Sequence, residues 1–432
     1  METTLLLILL ALESALMVYS LVTKSHQEKT RSIIRIAALI AFSALIAASV
    51  IQWGFRWYAL AALLFAGAAL GMWTLLKRRE GAKAYRARGV VFRAIIGLLL
   101  VFLAMIPALL FPMNQPPDAT GPYAVAVAEY TYTDESRVET YGDTGEAREV
   151  NVAFWYPENA EGVYPLVLFS HGSLGIITSN VSLYRELASH GYVVAALGHP
   201  YLSLWARDVD GRTTFLSMDF FDELRREDPR TDIQQSYAYY RKWMDVLMGD
   251  INFVLDTILE KAASGEPSVY RLVDDGKIGV TGHSLGGSAA LGVGRRRDDI
   301  GAVIALESPL MADIEGVEDG KFVFTSDVYP VPVLNIYSDS SWEHLSEWTQ
   351  YAANHALLSD DRATAFNVHI SGLGHLALTD LSLSSPLLVR IADGGRPARA
   401  GVEGLKIINE VSLEFLDAYL KGRGEFAEVT DK

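Results

Sequence analysis

Four long apolar stretches fill the first 111 residues of this 432-residue chain and constrain its fold more than any other feature. They cover residues 4–22, 33–53, 57–76 and 90–111. Each is close to the about 20 residues with which a helix crosses the hydrocarbon core of a bilayer. The first stretch lacks the basic n-region and the cleavage pattern of a signal peptide. The sequence therefore predicts a retained anchor of four transmembrane helices over residues 1–111.

Basic residues are concentrated in two of the loops between these stretches. Because Lys and Arg favour cytoplasmic loops, both loops are expected in the cytoplasm. Four spans return the chain to the side on which it began, and residues 112–136 contain no Lys or Arg. We therefore expect a multi-pass protein of the cell membrane with an extracytoplasmic C-terminal domain. The basic residues are Lys24, Lys29 and Arg31 in one loop and Lys77, Arg78, Arg79, Lys83, Arg86 and Arg88 in the other.

Charge and cysteine content argue against several classes of function. The first 111 residues hold 12 basic and 4 acidic side chains, which leaves 25 basic and 48 acidic ones in the remaining 321 residues. A domain with a net charge of −23 repels phosphate backbones, so we expect no nucleic-acid partner. The chain has no cysteine, which excludes thiolate catalysis, cysteine-ligated zinc and disulfide bonds.

A proline-rich linker at residues 112–122 separates the anchor from a large domain at residues 123–432. This domain begins with two predicted strands of a hairpin, near residues 125–132 and 149–156. Short apolar runs separated by helical patterns follow, which indicates a mostly parallel sheet with helices on both faces, an α/β fold. The runs are at 166–169, 193–197, 278–281, 302–306, 333–337 and 366–370.

The strongest functional motif is GHSLGG at residues 282–287, which follows a predicted strand and opens a predicted helix. It has the G-x-S-x-G pattern of a nucleophile elbow, a turn so tight that flanking glycines are needed to avoid a clash of Cβ atoms. Such a turn exposes the Ser284 hydroxyl above the sheet as a nucleophile. It also places the Leu285 N–H at a helix N-terminus, where it can stabilise an oxyanion.

A second oxyanion donor is expected after an early strand of the sheet. The sequence LVLFSHGS at residues 166–173 has the form of a strand followed by such a loop. The N–H of Ser173, or else that of Leu174, is the predicted donor. His171 is expected to be a structural hydrogen-bonding residue of this loop.

Chain order selects the catalytic histidine. In enzymes with a nucleophile elbow the general base follows the nucleophile and the acid along the chain. Of nine histidines, only His375 lies on a glycine-rich loop after the last predicted strand, in SGLGH at residues 371–375. We therefore predict that His375 is the general base for Ser284.

Two carboxylates are candidates for the acid that orients the histidine. Asp339 follows the run at 333–337, where many α/β enzymes with a nucleophile elbow have an aspartate as the fourth residue of a G-x-x-D turn. Here the turn reads SDSS at residues 338–341, with serine in the fourth position. Glu307 ends the preceding strand, beside the nucleophile strand, and could also reach the imidazole. The residues alone leave both candidates open.

Six short motifs in a fixed order carry a resemblance to a known family. They are GPY at 121–123, FWYP at 154–157, FSHG at 169–172, SHGY at 189–192, GHSLGG at 282–287 and ALE at 305–307. Together they resemble the α/β-hydrolases of the plasma-type (isoform II) platelet-activating-factor acetylhydrolase family and its bacterial lipase-like relatives. The resemblance covers roughly residues 121–421 and implies an α/β-hydrolase fold.

The resemblance also implies roles for two residues. The family's triad acid is an aspartate after the strand that follows the nucleophile helix, which matches Glu307, and its oxyanion residue after His-Gly matches Ser173. The chain departs from the family in having a glutamate as this acid and GSLG at residues 172–175, where the family often has one residue fewer.

Segments 201–240 and 379–404 lie outside the core pattern and could form a cap over the site. Apolar residues at 215–243 are candidates for an acyl pocket, with packing of a long helix on the sheet as the alternative. These candidates are Phe215, Leu216, Phe220, Phe221, Tyr237, Tyr239, Tyr240 and Trp243.

The sequence therefore predicts a membrane-anchored serine ester hydrolase that acts on a small-molecule or lipid ester. Ser284 is the predicted nucleophile, His375 the base and Glu307 the acid, with Asp339 as the alternative acid. No metal or organic cofactor is implied. Alternatives are a serine peptidase or acyltransferase on the same fold, or a non-catalytic membrane protein with a hydrolase-like binding domain.

The charge distribution generates a prediction about topology. Protease added to intact cells should digest the C-terminal domain and spare the loop at residues 77–88, because the basic loops face the cytoplasm. Immunoblots with tags in each segment would measure this. Protection of the domain until the cells are lysed would reverse the orientation.

Overall fold

A computed structural model of the chain describes residues 1–77, 85–142, 144–395 and 401–427. The chain divides into two compact units. The first comprises Met1–Asn114 with Ser384–Leu388, and the second comprises Gln115–Leu383 with Val389–Lys432.

Within the described residues, the first unit contains four helices that are long and apolar enough to cross a membrane. Three of the basic residues predicted in the second cytoplasmic loop, Arg78, Arg79 and Lys83, lie outside the described part of the chain. The four helices are α1 (Glu2–Val22), α2 (Glu28–Ala47), α3 (Tyr58–Leu76), which continues a 3₁₀ turn at Phe55–Trp57, and α4 (Ala87–Leu110).

The predicted extent of the second span, residues 33–53, is wrong at both ends. Helix α2 begins at Glu28 and ends at Ala47. The chain then turns at Ser49, which has a φ of 58°. Ile51 is buried with Trp57 in the core of the helical unit. The apolar sequence continues beyond the end of α2 because Ile51 packs into the core of the unit from the turn that follows the helix.

Arg56 contacts residues at the start of the first helix and just after the last helix of the helical unit. Its guanidinium pairs with Glu2 at 3.2 Å, at the start of α1, and donates a hydrogen bond of 3.0 Å to the carbonyl oxygen of Phe111, just after α4. The start of α1 and the end of α4 therefore lie at the same end of this unit, as expected for an even number of spans.

The second unit is built on an eight-stranded sheet in the order β1-β2-β4-β3-β7-β8-β11-β12. Strand β2 pairs antiparallel with β1 and β4, and the other neighbours pair parallel. The prediction of a mostly parallel sheet behind an N-terminal hairpin is confirmed. The strands are β1 (Val125–Val138), β2 (Ala147–Pro157), β3 (Tyr164–Ser170), β4 (Val193–Gly198), β5 (Trp205–Arg207), β6 (Thr213–Phe215), β7 (Val273–His283), β8 (Ile300–Leu306), β9 (Ile314–Glu318), β10 (Lys321–Phe324), β11 (Val333–Ser338) and β12 (Ala365–Ile370).

Helices cover both faces of the sheet. Side chains of β4 alternate between two hydrophobic cores: Val193 packs in the core with α7 and α8, whereas Val194 packs in the core with α5 and α13. A strand buried on both faces reads as a continuous apolar run, as the sequence does here. The remaining helices are α5 (Val181–Ser189), α6 (Met218–Arg226), α7 (Ile233–Ala263), α8 (Ser284–Arg296), α9 (Asp339–Trp342), α10 (Ala352–Leu357), α11 (Leu381–Ser384), α12 (Pro386–Ala392) and α13 (Gly401–Lys421).

The structure describes all of segment 201–240, one of the two predicted caps, but only part of the other, segment 379–404. Segment 201–240 contains the β5–β6 hairpin, α6 and the start of α7, while part of segment 379–404, residues 396–400, lies outside the described residues. Phe220, Tyr240 and Trp243 are buried in the hydrophobic core. The acyl-pocket hypothesis is wrong for these three side chains, because α6 and α7 pack them inward.

Candidate active site

Parallel strands β3, β7, β8, β11 and β12 end at one edge of the sheet, and the loops that follow them carry the predicted site residues. In open α/β sheets this edge is where ligands bind. The loops contain, in strand order across the sheet, Ser173 after β3, Ser284 after β7, Glu307 after β8, Asp339 after β11 and His375 after β12.

The turn between β7 and α8 has the geometry of a nucleophile elbow. Ser284 is the first residue of α8 and has a φ of 53°, in the left-handed region that side chains other than glycine rarely adopt. A Cβ atom on Gly282 would lie 2.6 Å from the carbonyl oxygen of Ser170. One on Gly286 would overlap the carbonyl oxygens of Ser170 and His171. Only glycine therefore allows β3 and the elbow to come this close.

The loop after β3 lies against the elbow. A Cβ on Gly172 would be 3.0 Å from the Cβ of Ser284. His171 Nδ1 donates to the Gly172 carbonyl at 2.8 Å, and the Gly175 N–H donates to the same oxygen at 3.0 Å. In a trans peptide the C=O and N–H point in opposite directions, so the Ser173 N–H points away from both donors.

Three backbone N–H groups near the elbow are available to an oxyanion. Within the described chain, the N–H groups of Ser173, Leu174 and Leu285 donate to no protein acceptor. Leu174 has a φ of 60°, so the loop reverses direction there. The structure thus leaves both predicted donors, Ser173 and Leu285, with unused N–H groups beside Ser284.

His375 contacts Glu307. The Nδ1 atom of His375 lies 3.4 Å from the Glu307 Oε2 atom, within ion-pair distance. This oxygen is buried and makes no hydrogen bond among the described residues. Glu307 is 1% exposed and has a φ of 49° directly after β8. Burial opposes the charged form of both side chains, but the interaction of each with its charged partner outweighs burial. The pKa of Glu307 is therefore held below its ordinary value, and the pKa of His375 is raised above its own.

The His375 ring also lies beside the elbow. Its centroid is 4.6 Å from that of His283, and His283 Nε2 donates to the His375 carbonyl at 3.1 Å. The ring makes no hydrogen bond to Ser284 Oγ among the described contacts. Catalytic hydrogen bonds are often long or misaligned in unliganded enzymes and tighten when substrate binds.

Asp339 contacts other partners in the same loop region. Its Oδ1 accepts a hydrogen bond of 2.8 Å from His369 Nε2, and its Oδ2 accepts one of 3.0 Å from the Gly372 N–H. The Asp339 N–H donates to the Leu373 carbonyl at 2.9 Å. Asp339 therefore holds the loop that leads to His375, whereas Glu307 contacts the His375 ring.

Sequence reasoning missed Asp393, a second carboxylate beside His375. Asp393 Oδ1 accepts a hydrogen bond of 3.2 Å from the Leu376 N–H, and its side chain packs on Gly374. Burial raises the pKa of Asp393, and its charge adds to that of Glu307 in raising the pKa of His375. No sequence signal marked Asp393, because its segment matched no strand or helix pattern.

A buried polar cluster beneath the β3 loop was missed as well. It contains Ser170, His199, Ser203 and Asp250, all at most 1% exposed. Asp250 was detectable, because it lies among apolar residues on the buried face of α7. No group of three or more His, Asp or Glu side chains among the described residues is arranged to hold a metal ion.

The known families and proteins that are similar to this chain are named as acetylhydrolases or as an esterase. The family described as "Platelet-activating factor acetylhydrolase, isoform II" matches residues 126–229. A platelet-activating factor acetylhydrolase of Gallus gallus is 24% identical over 288 residues, which is 61% of this chain and 64% of that protein. Its counterpart in Canis lupus familiaris is 28% identical over 147 residues, 30% of this chain and 31% of that protein.

The chain thus spans less than two thirds of the length of these relatives. Among solved structures, a ferulic acid esterase from Streptomyces cinnamoneus is similar with a TM-score of 0.55 and 20% identity. The similarity covers 72% of this chain and 95% of that one, which supports the α/β-hydrolase fold. The resemblance inferred from the sequence motifs is confirmed.

The packing at the elbow predicts that Gly286→Ala destabilises the second unit. The new Cβ would overlap two carbonyl oxygens at the end of β3 and should cost about 2 to 3 kcal/mol of unfolding free energy. Denaturant titration of the full chain in detergent would measure the loss. Gly276→Ala, on the exposed part of β7, is the control, since its Cβ would be 3.5 Å from the nearest atom. Equal stabilities of the two variants would contradict the close packing.

Proposed function

We propose that this α/β-hydrolase, which is similar to the isoform II platelet-activating factor acetylhydrolases, is a membrane-anchored serine hydrolase of carboxylic esters. The observation that carries the proposal is the convergence of Ser284, His375 and Glu307 at one sheet edge. Unused N–H groups of the β3 loop and of α8 lie beside the same serine.

In the proposed reaction, Ser284 Oγ attacks the ester carbonyl while His375 accepts its proton. The N–H groups of Leu285 and Ser173 stabilise the oxyanion of the tetrahedral intermediate. Collapse of this intermediate releases the alcohol, which takes the proton from His375, and leaves an acyl group on Ser284. Water then attacks the acyl-enzyme with His375 again as base, which releases the carboxylic acid and restores Ser284.

We assign the triad acid to Glu307. Its carboxylate lies 3.4 Å from His375 Nδ1 and is otherwise unpaired at Oε2 within the described chain. The carboxylate of Asp339 instead accepts hydrogen bonds from His369 and the Gly372 N–H. An ionised Glu307 stabilises the imidazolium form of His375 and fixes which ring nitrogen faces Ser284.

The substrate class we propose is an apolar ester, such as a lipid acyl ester. The names of the relatives and of the similar structure are those of an acetylhydrolase and an esterase. Four apolar helices would anchor the chain, and a linker of about ten residues would keep the hydrolase unit within roughly 30 to 40 Å of the bilayer. We place this unit outside the cytoplasm, because the basic loops are expected inside.

A serine peptidase or acyltransferase on this fold would use the same residues, and a non-catalytic binding domain would not need them.

Replacing Ser284 separates a catalyst from a binding protein. Ser284→Ala should abolish both fluorophosphonate labelling and hydrolysis of p-nitrophenyl esters, because the nucleophile is removed. Assays on the purified full chain, with esters of increasing acyl length, would measure this. The control is Ser288→Ala, which removes a buried hydroxyl without a hydrogen-bond partner in the described chain, one turn further along α8.

Full turnover in Ser284→Ala would refute the serine mechanism. Faster cleavage of matched amides than of esters would favour the peptidase alternative, and acyl transfer to an added alcohol in preference to water would favour the acyltransferase.

A further prediction ranks Glu307 and Asp339, the two candidate acids. Glu307→Gln should lower kcat by about 10³-fold or more, whereas Asp339→Asn should have a much smaller effect.

The pH profile of activity adds a second measurement. His375 must be neutral to accept a proton, and its pKa is raised, so activity should fall as the pH drops through a value above about 6.5.

Loss of the Glu307 charge should move this acidic limb to lower pH, because the imidazolium is then less stabilised. Asp339→Asn should leave the limb in place. The opposite ranking of the two variants would assign the triad acid to Asp339.

A further inference from the structure

A second Asp-His-Ser series of hydrogen bonds lies buried beneath the candidate oxyanion loop. Asp250 Oδ2 is 2.8 Å from His199 Nδ1, and His199 Nε2 is 2.9 Å from Ser170 Oγ. All three residues are 0% exposed. The order of bonds is that of a catalytic triad, but no substrate can reach the serine. This series of Asp250, His199 and Ser170, here called the relay, can therefore affect only the residues that surround it.

The direction of each hydrogen bond in this series is determined. Buried Asp250 stays ionised, because the charge of Arg148 outweighs the burial that opposes it and holds the pKa of Asp250 well below its ordinary value. Burial lowers the pKa of His199, so its ring is neutral. A carboxylate only accepts, so His199 Nδ1 carries the proton and Nε2 accepts. The Ser170 hydroxyl must then donate to His199.

Asp250 of α7 is held by two arginines, Arg148 of β2 and Arg137 of β1. Arg148 of β2 donates to both of its oxygens, through Nε at 3.1 Å and Nη2 at 2.6 Å. Arg137 donates to Oδ1 at 2.9 Å. Arg148 also pairs with Glu139 and donates to the Pro200 carbonyl at 3.0 Å. Paired guanidinium and carboxylate groups of this kind give the relay a fixed position in the fold.

The other end of the relay touches the site. Ser170 is the last residue of β3, and its carbonyl oxygen occupies the space that a Cβ on Gly286 of the elbow would need. A branch of the cluster reaches the next residue: Ser203 Oγ is 2.9 Å from His171 Nε2 and 2.8 Å from the His199 carbonyl. His171 in turn donates to the Gly172 carbonyl, whose peptide carries the Ser173 N–H.

We propose that His199 and Asp250 are positioning residues that set the distance between the oxyanion loop and the nucleophile elbow, acting through Ser170 and, by way of Ser203, through His171. This role rests on the proposed function. The relay fixes Ser170, Ser170 contacts the elbow glycines, and the adjoining peptide presents the oxyanion donor. Because an oxyanion forms only in the reaction, loss of the relay should slow turnover without weakening substrate binding.

The test is Ser170→Ala in the full chain, purified in detergent, which removes the donated hydrogen bond and leaves His199 and Asp250 in place. Hydrolysis of p-nitrophenyl acetate should show kcat reduced about 10-fold or more with KM within about 2-fold, because misplaced oxyanion donors lose transition-state stabilisation. Fluorophosphonate labelling should slow by a similar factor. Assays are run well below the melting temperature of each variant.

Ser189→Ala is the matched control. Ser189 is also buried and hydrogen-bonded, accepting from the Gly121 N–H at 3.1 Å and donating to the Glu186 carbonyl at 2.8 Å. It lies on α5, and neither partner of its hydroxyl belongs to the candidate site. Its loss should lower stability and leave kcat unchanged. If Ser170→Ala does not fold, Ser203→Ala interrupts the other branch and should have the same effect on kcat.

Turnover of the Ser170 or Ser203 variant equal to that of Ser189→Ala would overturn the positioning role. With Ser284→Ala inactive in the same assay, that result overturns the positioning role alone. Activity remaining in Ser284→Ala overturns the proposed function and the positioning role together.

Discussion

The contact between the end of β3 and the turn after β7 is the constraint on which the candidate site depends. Carbonyl oxygens of Ser170 and His171 occupy the space that a side chain at Gly286 would need. The loops that carry Ser284 and Ser173 thus meet backbone to backbone, with no side chain between them. Ser284 accepts an unfavourable φ at this point, a local cost of about 1 to 3 kcal/mol that the surrounding packing must offset.

The sequence predicted those parts of the molecule whose signal is local. The apolar runs predicted at 193–197 and 333–337, for example, lie within the strands β4 and β11. The mostly parallel sheet followed from short apolar runs buried on both faces, and the motifs indicated a resemblance that the comparisons confirm. The end of α2 was wrong, because hydropathy does not distinguish a helix from an apolar turn that packs against it, as Ile51 does.

Other features of the site could not be read from the sequence, because they depend on how distant strands align. The register of β11 and β12 pairs Tyr337 with His369, which brings His369 within reach of Asp339. Of the two predicted acids, Glu307 is therefore the one whose carboxylate lies 3.4 Å from His375. Sequence order alone kept both acids open. The relay beneath the loop joins three separate segments of the chain, so no local motif could have marked it.

The buried pair of Arg148 and Asp250 links the candidate site to the packing of α7 on the sheet. Arg148 and Asp250 are 102 residues apart in sequence, and His199 lies 51 residues before Asp250, so each of the two bonds to Asp250 closes a long loop of chain. These bonds exist only while α7 stays docked on the sheet. Separation of α7 from β2 would expose two buried charges and break the hydrogen bonds that lead from Asp250 through His199 to Ser170. The candidate site therefore depends on a helix that carries none of the predicted catalytic residues.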